Sequence, residues 1–479
     1  MKHKIIKRDY FSRSKVMKGY VILLALVLIF MVSFNEIQTI ASENNEGDTQ
    51  LVMEDENNIS TDLIEEEDSV SSILLEEENE VFDDVEEDIL LSETVEEEKV
   101  NILSETISTY DVYTADVTVT VSTFEELKAA IANTGGLITT AILIEGNLTG
   151  SGSTSPLSFV GTKTIILAPA DGVESVTLSD CYFKLEGNVE LQLHNIHATG
   201  NASNSVIGVQ IMNDSHLILN NSTLSNYKGG SSGGAIYMKT SNNYVPKLTL
   251  TNNSSIYNNS AASGAAVLAE AKAVITITDS IISNNVASSY GGAIHAIKGS
   301  TTINITNSNF HSNSGRAGAG IYVLNTGTNI SVTGGSFYIN VSTTGGGAIY
   351  GQSIDTVTIK NCNIYENQAT SSSGGGAGLY LRIIDTVVIQ ESTINNNTTA
   401  DSGGGVLAYA VASLTIEGGT INGNTAYNGG GVYCGANSTQ GTMTLKGVEI
   451  SENKAAGGVG ANGAGMYLFG YDNYYVYEL

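Results

Sequence analysis

Apolar and polar positions recur along this chain with a period near 27 residues. An apolar residue followed three positions later by asparagine occurs eight times: Ile256/Asn259, Ile282/Asn285, Phe310/Asn313, Phe337/Asn340, Ile364/Asn367, Ile394/Asn397, Ile421/Asn424 and Ile450/Asn453. Successive asparagines lie 26, 28, 27, 27, 30, 27 and 29 residues apart. A fixed period in this range marks a solenoid, in which each coil buries its apolar face against its neighbours. Each period holds three extended pieces. One follows a glycine cluster, as at Gly233-Gly234-Ala235-Ile236-Tyr237 and Gly346-Gly347-Ala348-Ile349-Tyr350. The next alternates apolar and polar residues, as at Val274-Ile275-Thr276-Ile277, Val357-Thr358-Ile359 and Leu414-Thr415-Ile416. The third is the Ile/Phe-x-x-Asn phrase itself. Short β-branched runs split by Gly, Ser and Asn predict strands joined by turns, and nothing in the repeats follows a helical period.

The predicted fold is therefore all-β, a right-handed parallel β-helix with three strands per coil of about 27 residues. At the ~4.8 Å spacing of neighbouring strands, roughly eleven coils make a rod on the order of 50 Å long. The asparagines have a structural use in such a stack. An inward amide donates to the amide carbonyl one coil away, and Asn tolerates the left-handed backbone of tight turns. The glycines mark positive-φ or close-approach positions at a corner. The first strand edges of a β-helix invite edge-to-edge pairing unless covered. Residues 121–133 supply the cover: Thr123-Phe124-Glu125-Glu126 fits a capping box, and Phe124, Leu127, Ala130 and Ile131 share one helical face. Runs at Ala141–Ile144, Thr164–Leu167 and Val189–Leu193 predict the first, less regular coils.

Charge divides the chain into three parts. Residues 1–41 carry seven Lys/Arg ahead of a fourteen-residue apolar run, Val21 to Phe34, and end in small residues at Thr39-Ile40-Ala41. That pattern predicts a cleaved export signal too short for a stable membrane span. Residues 42–114 are expected to be a disordered acidic spacer, because 43–100 hold 24 Asp/Glu against the single basic Lys99. Residues 115–479 form the β-helix domain. The chain's net charge of −29 leaves −11 on residues 101–479, with only two arginines there, Arg316 and Arg382. Nucleic acid is a poor partner for that surface, since phosphate contacts need clustered Lys/Arg. Its Ser, Thr, Asn and Gly suit neutral, hydrogen-bonding partners. Cys181, Cys362 and Cys434 are odd in number, with neither disulfide nor metal spacing.

Three Gly-Gly-Ala-Ile strings (233–236, 291–294, 346–349) and two Phe-x-x-Asn strings (Phe310–Asn313, Phe337–Asn340) resemble the paired motifs of chlamydial polymorphic membrane proteins. They are also similar to those of adhesin-like right-handed β-helix proteins of gut bacteria and archaea. The resemblance spans about residues 230–470. It implies a pectate-lyase-like fold and a surface passenger that contacts host cells or other surfaces. Two features depart from that family: no outer-membrane barrel follows, and the long basic signal looks like that of a Gram-positive surface protein. The stop at Tyr474–Leu479, directly after a strand, leads to the expectation of a truncated C-terminus.

Candidate chemistry lies in stacked columns. Tyr237, His295, Tyr322, Tyr350, Tyr380, Tyr433 and Tyr467 each follow the inward apolar residue of a coil, so they form an outward aromatic column. Such a column stacks on sugar rings, or on itself to stiffen one sheet. Tyr350-Gly351-Gln352-Ser353-Ile354-Asp355 and Tyr380-Leu381-Arg382-Ile383-Ile384-Asp385 occupy equivalent positions one coil apart. Alternation predicts one patch of Tyr350, Gln352, Tyr380, Arg382 and both aspartates, with Arg382 in an exposed ion pair or, in the catalytic alternative, acting as a base. The ligand-binding candidates are thus Tyr322, Tyr350, Gln352, Tyr380, Arg382 and Tyr433. No catalytic residue, metal or cofactor is expected, since no Asp-Asp pair, Gly-His-Gly triplet or acidic Ca²⁺ cluster occurs after residue 112. The function these features favour is an exported, non-catalytic cell-surface protein of adhesin type, binding extracellular carbohydrate or a surface protein. Two alternatives stay open: a polysaccharide lyase or glycoside hydrolase acting outside the cell, and a purely structural spacer.

Overall fold

Each coil turns because single residues accept a backbone that strands cannot. The computed structural model describes residues 115–469 apart from 137, 151–155, 202, 204, 241–242, 271, 436–440 and 458–459. The export signal and acidic spacer expected over 1–114, and the chain end after 469, lie outside the described residues. Within the described residues the chain is a parallel β-helix. Its third-strand ladder contains twelve strands, from Leu148–Thr149 to Glu449–Ser451, against the roughly eleven coils expected. All neighbouring strands in that ladder pair in parallel, as in Phe310↔Phe337↔Ile364↔Ile394.

The first and second strands of each coil belong to one 20-stranded sheet, because several strands run unbroken through the corner between them. Ile349–Lys360, Leu379–Gln390 and Val406–Glu417 are such strands. In them, the corner is a single left-handed residue: Ser353, Ile383 or Ala410, with φ of 53–54°. A further ladder was not anticipated. Eight strands of two to five residues, from Ser260–Ala261 to Lys454–Ala455, follow the asparagines directly. Most are two residues long, too short to show alternation.

Apolar burial is continuous along the rod. One cluster runs from Val121 to Leu445, with inward residues such as Ile294, Ile321, Ile349, Leu379 and Val406 fully buried. Phe310 and Phe337 stack in its centre at 4.7 Å. The capping helix α1 spans Phe124–Asn133, with the Thr123/Glu126 capping box formed and Leu127 and Ile131 buried in the core. An extra strand, Val117–Val121, precedes α1 and pairs in parallel with Thr139–Ile144. The helix therefore interrupts the first coil instead of preceding it.

Two buried polar ladders hold the corners. The eight asparagines stack in one file, each Nδ2 donating to the next Oδ1 at 2.9–3.0 Å. Each Oδ1 after the first also accepts the backbone N–H of the preceding rung's asparagine, as Asn340 Oδ1 does from Asn313 at 3.1 Å. The residue in left-handed conformation is the one before the ladder position, such as Asn258, Asn284 or Ile339, and not the ladder asparagine itself. At the start of the file stands Tyr227. Its N–H donates to Asn259 Oδ1, and its hydroxyl donates to the Cys181 carbonyl, both at 2.9 Å. A second file, of serines, runs along another corner. Ser222 N–H donates to Ser254 Oγ and Ser280 N–H to Ser308 Oγ, each at 3.1 Å. Cys362 occupies the same file, its N–H donating to Ser392 Oγ at 3.2 Å.

Candidate functional site

The tyrosine column is positioned by the glycines before it. Gly291, Gly318, Gly346 and Gly376 carry φ of 58–61°, a region that favours glycine. The next residue packs against the following coil: a Cβ on Gly347 would meet the Ala377 carbonyl oxygen at 2.4 Å. With the backbone fixed there, the inward residue is buried and its successor faces outward, in register from coil to coil. The ladder runs Leu268↔His295↔Tyr322↔Tyr350↔Tyr380↔Leu407↔Tyr433↔Tyr467.

The rings stack on each other. Tyr322 and Tyr350 lie 4.7 Å apart, and Tyr350 and Tyr380 lie 4.2 Å apart with ring planes 5° from parallel. Both faces of Tyr350 are thus covered by its neighbours. Tyr290, from the turn before the strand, stacks on Tyr322 at 4.7 Å, and His295 meets Tyr322 edge-on at 5.0 Å. Tyr322 and His295 are buried, so what the run presents outward is the ring edges and hydroxyls of the half-buried Tyr350 and Tyr380. Burial, and then the adjoining Tyr380 and Tyr322, push the Tyr350 hydroxyl above its ordinary pKa, so it stays protonated. That hydroxyl donates to Gln352 Oε1 at 2.8 Å. Tyr433 stands apart, because Leu407 fills the coil between it and Tyr380.

The structure brings together Tyr322, Tyr350, Gln352, Tyr380 and Arg382, and separates the aspartates from them. Gln352, Arg382 and Tyr409 form one file, with the Arg382 guanidinium 5.6 Å from the Tyr409 ring centroid. The ion pair expected between Arg382 and Asp355 or Asp385 does not form; the four ion pairs among the described residues lie elsewhere. The cause is the left-handed corner at Ser353 and Ile383, which turns the chain between residues 352 and 354. Period-2 counting does not carry across such a corner. Asp355 instead accepts the Gly327 N–H at 2.8 Å.

A second outward aromatic file was missed in the sequence. His311, Tyr338 and Tyr365 stack on the third-strand ladder at 4.8 and 5.0 Å. Its signal was present, in the residue directly after Phe310, Phe337 and Ile364. Among the described residues no group of three or more His, Cys, Asp or Glu is placed to hold a metal, and no helix is long and apolar enough to cross a membrane.

The family model described as right-handed β-helix region matches residues 164–337 and 337–478. No curated protein matches the chain. A solved structure similar to it is a mannuronic acid specific polysaccharide family 6 lyase enzyme from human gut microbiota. The identity is 13% over 69% of this chain and 86% of that one, with a TM-score of 0.30.

Proposed function

From the membership of this chain in the right-handed β-helix family, we propose that it is an exported, non-catalytic rod of adhesin type. It engages extracellular glycans or surface proteins through many shallow contacts along its side. The observation that carries this reading is the in-register tyrosine run Tyr322–Tyr350–Tyr380, which repeats a phenol hydroxyl once per coil. Because the faces of Tyr350 are occupied by its neighbours, contact is made by hydroxyls and by Gln352 and Arg382 beside them. Each such hydrogen bond contributes about 1 kcal/mol, so affinity comes from their number.

The test separates hydroxyl from ring. Tyr350→Phe with Tyr380→Phe keeps the stack and removes two hydroxyls. The purified chain is incubated with a panel of extracellular polysaccharides, and both co-elution and polymer length are measured. The expected result is co-elution of at least one polymer at unchanged length, weakened about fivefold or more by the double variant, two lost hydrogen bonds amounting to ~1–3 kcal/mol. Binding indifferent to the double variant removes the tyrosine run from the reading. Shortened polymer replaces the reading with that of a carbohydrate-active enzyme.

A further inference from the structure

Titratable side chains gather at the opposite end of the rod from Arg382. On the second strands of successive coils, Thr164, Glu190, His216 and Lys247 stack in register as one outward file. With Lys163 and Asp214 they line a cleft of about 230 Å³. Sites that engulf a drug-sized ligand span ~300–1,000 Å³, so this cleft has room for a single ring of a larger molecule.

Its polar groups are held in place by one another and by residues outside the cleft. Lys163 Nζ donates to the Thr134 carbonyl and hydroxyl oxygens at 2.9 Å, tying the cleft to the end of α1. Glu190 Oε1 accepts from Gln192 Nε2 at 2.7 Å, and Oε2 lies 3.4 Å from His216 Nδ1. The far nitrogen of His216 lies 2.9 Å from Thr249 Oγ1. The hydrogen bond with His216, opposed by burial, and then that from Gln192 hold Glu190 below the usual carboxylate range, so it is charged. Asp214 Oδ1 accepts the Val245 N–H at 2.8 Å, which holds the backbone just ahead of Lys247. Seven residues separate the strands Ile236–Lys239 and Lys247–Thr251, where four separate Val267–Ala269 from Val274–Thr278 and Ile321–Leu324 from Asn329–Thr333. Insertions in a solenoid coil map to loops on one face, often the binding face. Next to the pinned residue, Tyr244 is 45% exposed.

We propose that this cleft is a binding site for one pyranose residue of a glycan that carries an anionic substituent, a carboxylate or a sulfate. The anionic group sits against the Lys247 ammonium, and the ring hydroxyls donate to Glu190 and Asp214. Charge distribution supports the assignment. Residues 101–479 carry −11 with thirteen basic side chains, yet two of those and a histidine converge on this cleft. The adjacent carboxylates give the site acceptors that a bare cationic patch lacks. The inference deepens the reading of the chain as a glycan binder and rests on it.

Calorimetric titration of the purified full chain tests it with three probes: an oligogalacturonate, a chondroitin sulfate oligosaccharide and a neutral xylo-oligosaccharide. The expected result is binding of at least one anionic probe over the neutral one, weakening as salt rises. Lys247→Met and Glu190→Gln should each lower that affinity tenfold or more, with circular dichroism unchanged, and Tyr350→Phe with Tyr380→Phe should not. Oligogalacturonate alone identifies a carboxylate ligand; chondroitin sulfate alone identifies a sulfate where chemical desulfation abolishes its binding, and a carboxylate where it does not. Equal or stronger binding of the neutral probe overturns the proposal, as does anionic binding unmoved in both cleft variants. Loss of binding only in the tyrosine variants overturns the cleft and leaves the tyrosine reading standing. No binding of any probe by the unaltered chain rejects the cleft, while the polysaccharide co-elution described above decides the glycan reading separately.

Discussion

At the scale of single residues, strain in this rod sits where the turn demands a left-handed backbone and the sequence supplies the wrong side chain. The position before each ladder asparagine is left-handed, and Asn fills it at residues 258, 284 and 396. Ile339 fills it in one coil, with φ of 54° and 46% exposure. A β-branched residue there costs roughly 1–2 kcal/mol relative to one that tolerates the conformation. Ile339→Asn should therefore raise the urea midpoint by an equivalent of about 1 kcal/mol, since little buried surface is lost. A lower midpoint would show that the exposed Ile339 side chain contributes more than its backbone costs. Ile383, with the same φ and exposure, should respond alike. His295 gives the pH-dependent counterpart. It is 5% exposed, its Nδ1 has no hydrogen-bond partner among the described residues, and burial pushes its pKa down to about 4. The unfolded chain, with a histidine pKa near ~6.5, binds that proton more readily than the folded one. Stability is then fully present above pH ~6.5 and is lost towards pH 4, by at most about 1.4 kcal/mol per unit. His295→Phe keeps an aromatic ring in the column and should flatten the slope of unfolding free energy between pH 6.5 and 4. The remaining slope belongs partly to His194, which burial also lowers to about 4.

At the scale of elements, the asparagine file does the work that a corner of buried backbone requires. Asn340 Oδ1 accepts from Asn313 N–H and Nδ2, and its own Nδ2 donates to the Phe310 carbonyl and Asn367 Oδ1, all within 2.9–3.1 Å. Asn340→Ala strands two of those partner groups, the Asn313 N–H and the Phe310 carbonyl, since Asn313 Nδ2 keeps the Ile282 carbonyl and Asn367 Oδ1 keeps the backbone N–H of residue 340. At ~1–3 kcal/mol for each orphaned buried group, the cost should reach roughly 2–6 kcal/mol. Asn363→Ala, at an exposed outward position, should stay within about 0.5 kcal/mol. A similar midpoint for both, in urea unfolding, would reject the ladder as the stabilising element. This file was legible in the sequence because a side chain that must stack on itself has to recur with the coil. The capping box of α1 was legible for the same reason: Thr123 and Glu126 satisfy each other locally. What stayed hidden depends on three-dimensional turns. Alternation placed Tyr350 and Tyr380 outward but said nothing of ring planes, and it failed across Ser353 and Ile383, where one left-handed residue resets the faces. Lys163, Glu190, His216 and Lys247 share no motif. They lie in coils that precede the first Asn phrase at Ile256, so no period aligned them.

At the scale of the whole molecule, a solenoid is a one-dimensional array, and the position of a lesion matters as much as its size. Each coil touches only its neighbours, so stability is close to a sum of coil terms and interface terms. Here the core is a single cluster from Val121 to Leu445, and the asparagine file crosses eight coils without a gap. Asn340 lies mid-file, beside the Phe310–Phe337 stack, whereas Asn453 is the last rung among the described residues and 9% exposed. Removing either side chain takes away a similar set of hydrogen bonds on its N-terminal side. In an array, though, a weak central coil severs coupling between two folded stretches, and a weak last coil only frays. Asn340→Ala should thus speed hydrogen exchange most in peptides covering residues 310–367, leave protection on both flanks, and split the unfolding transition in two. Asn453→Ala should speed exchange only near its own coil and keep one transition. Hydrogen–deuterium exchange mass spectrometry on both variants resolves the difference. Uniform loss of protection along the rod from either substitution would mean that the coils unfold as one cooperative unit, with coupling reaching well beyond nearest neighbours. In that case the continuous apolar core, and not the asparagine file, would set the cooperativity of the fold.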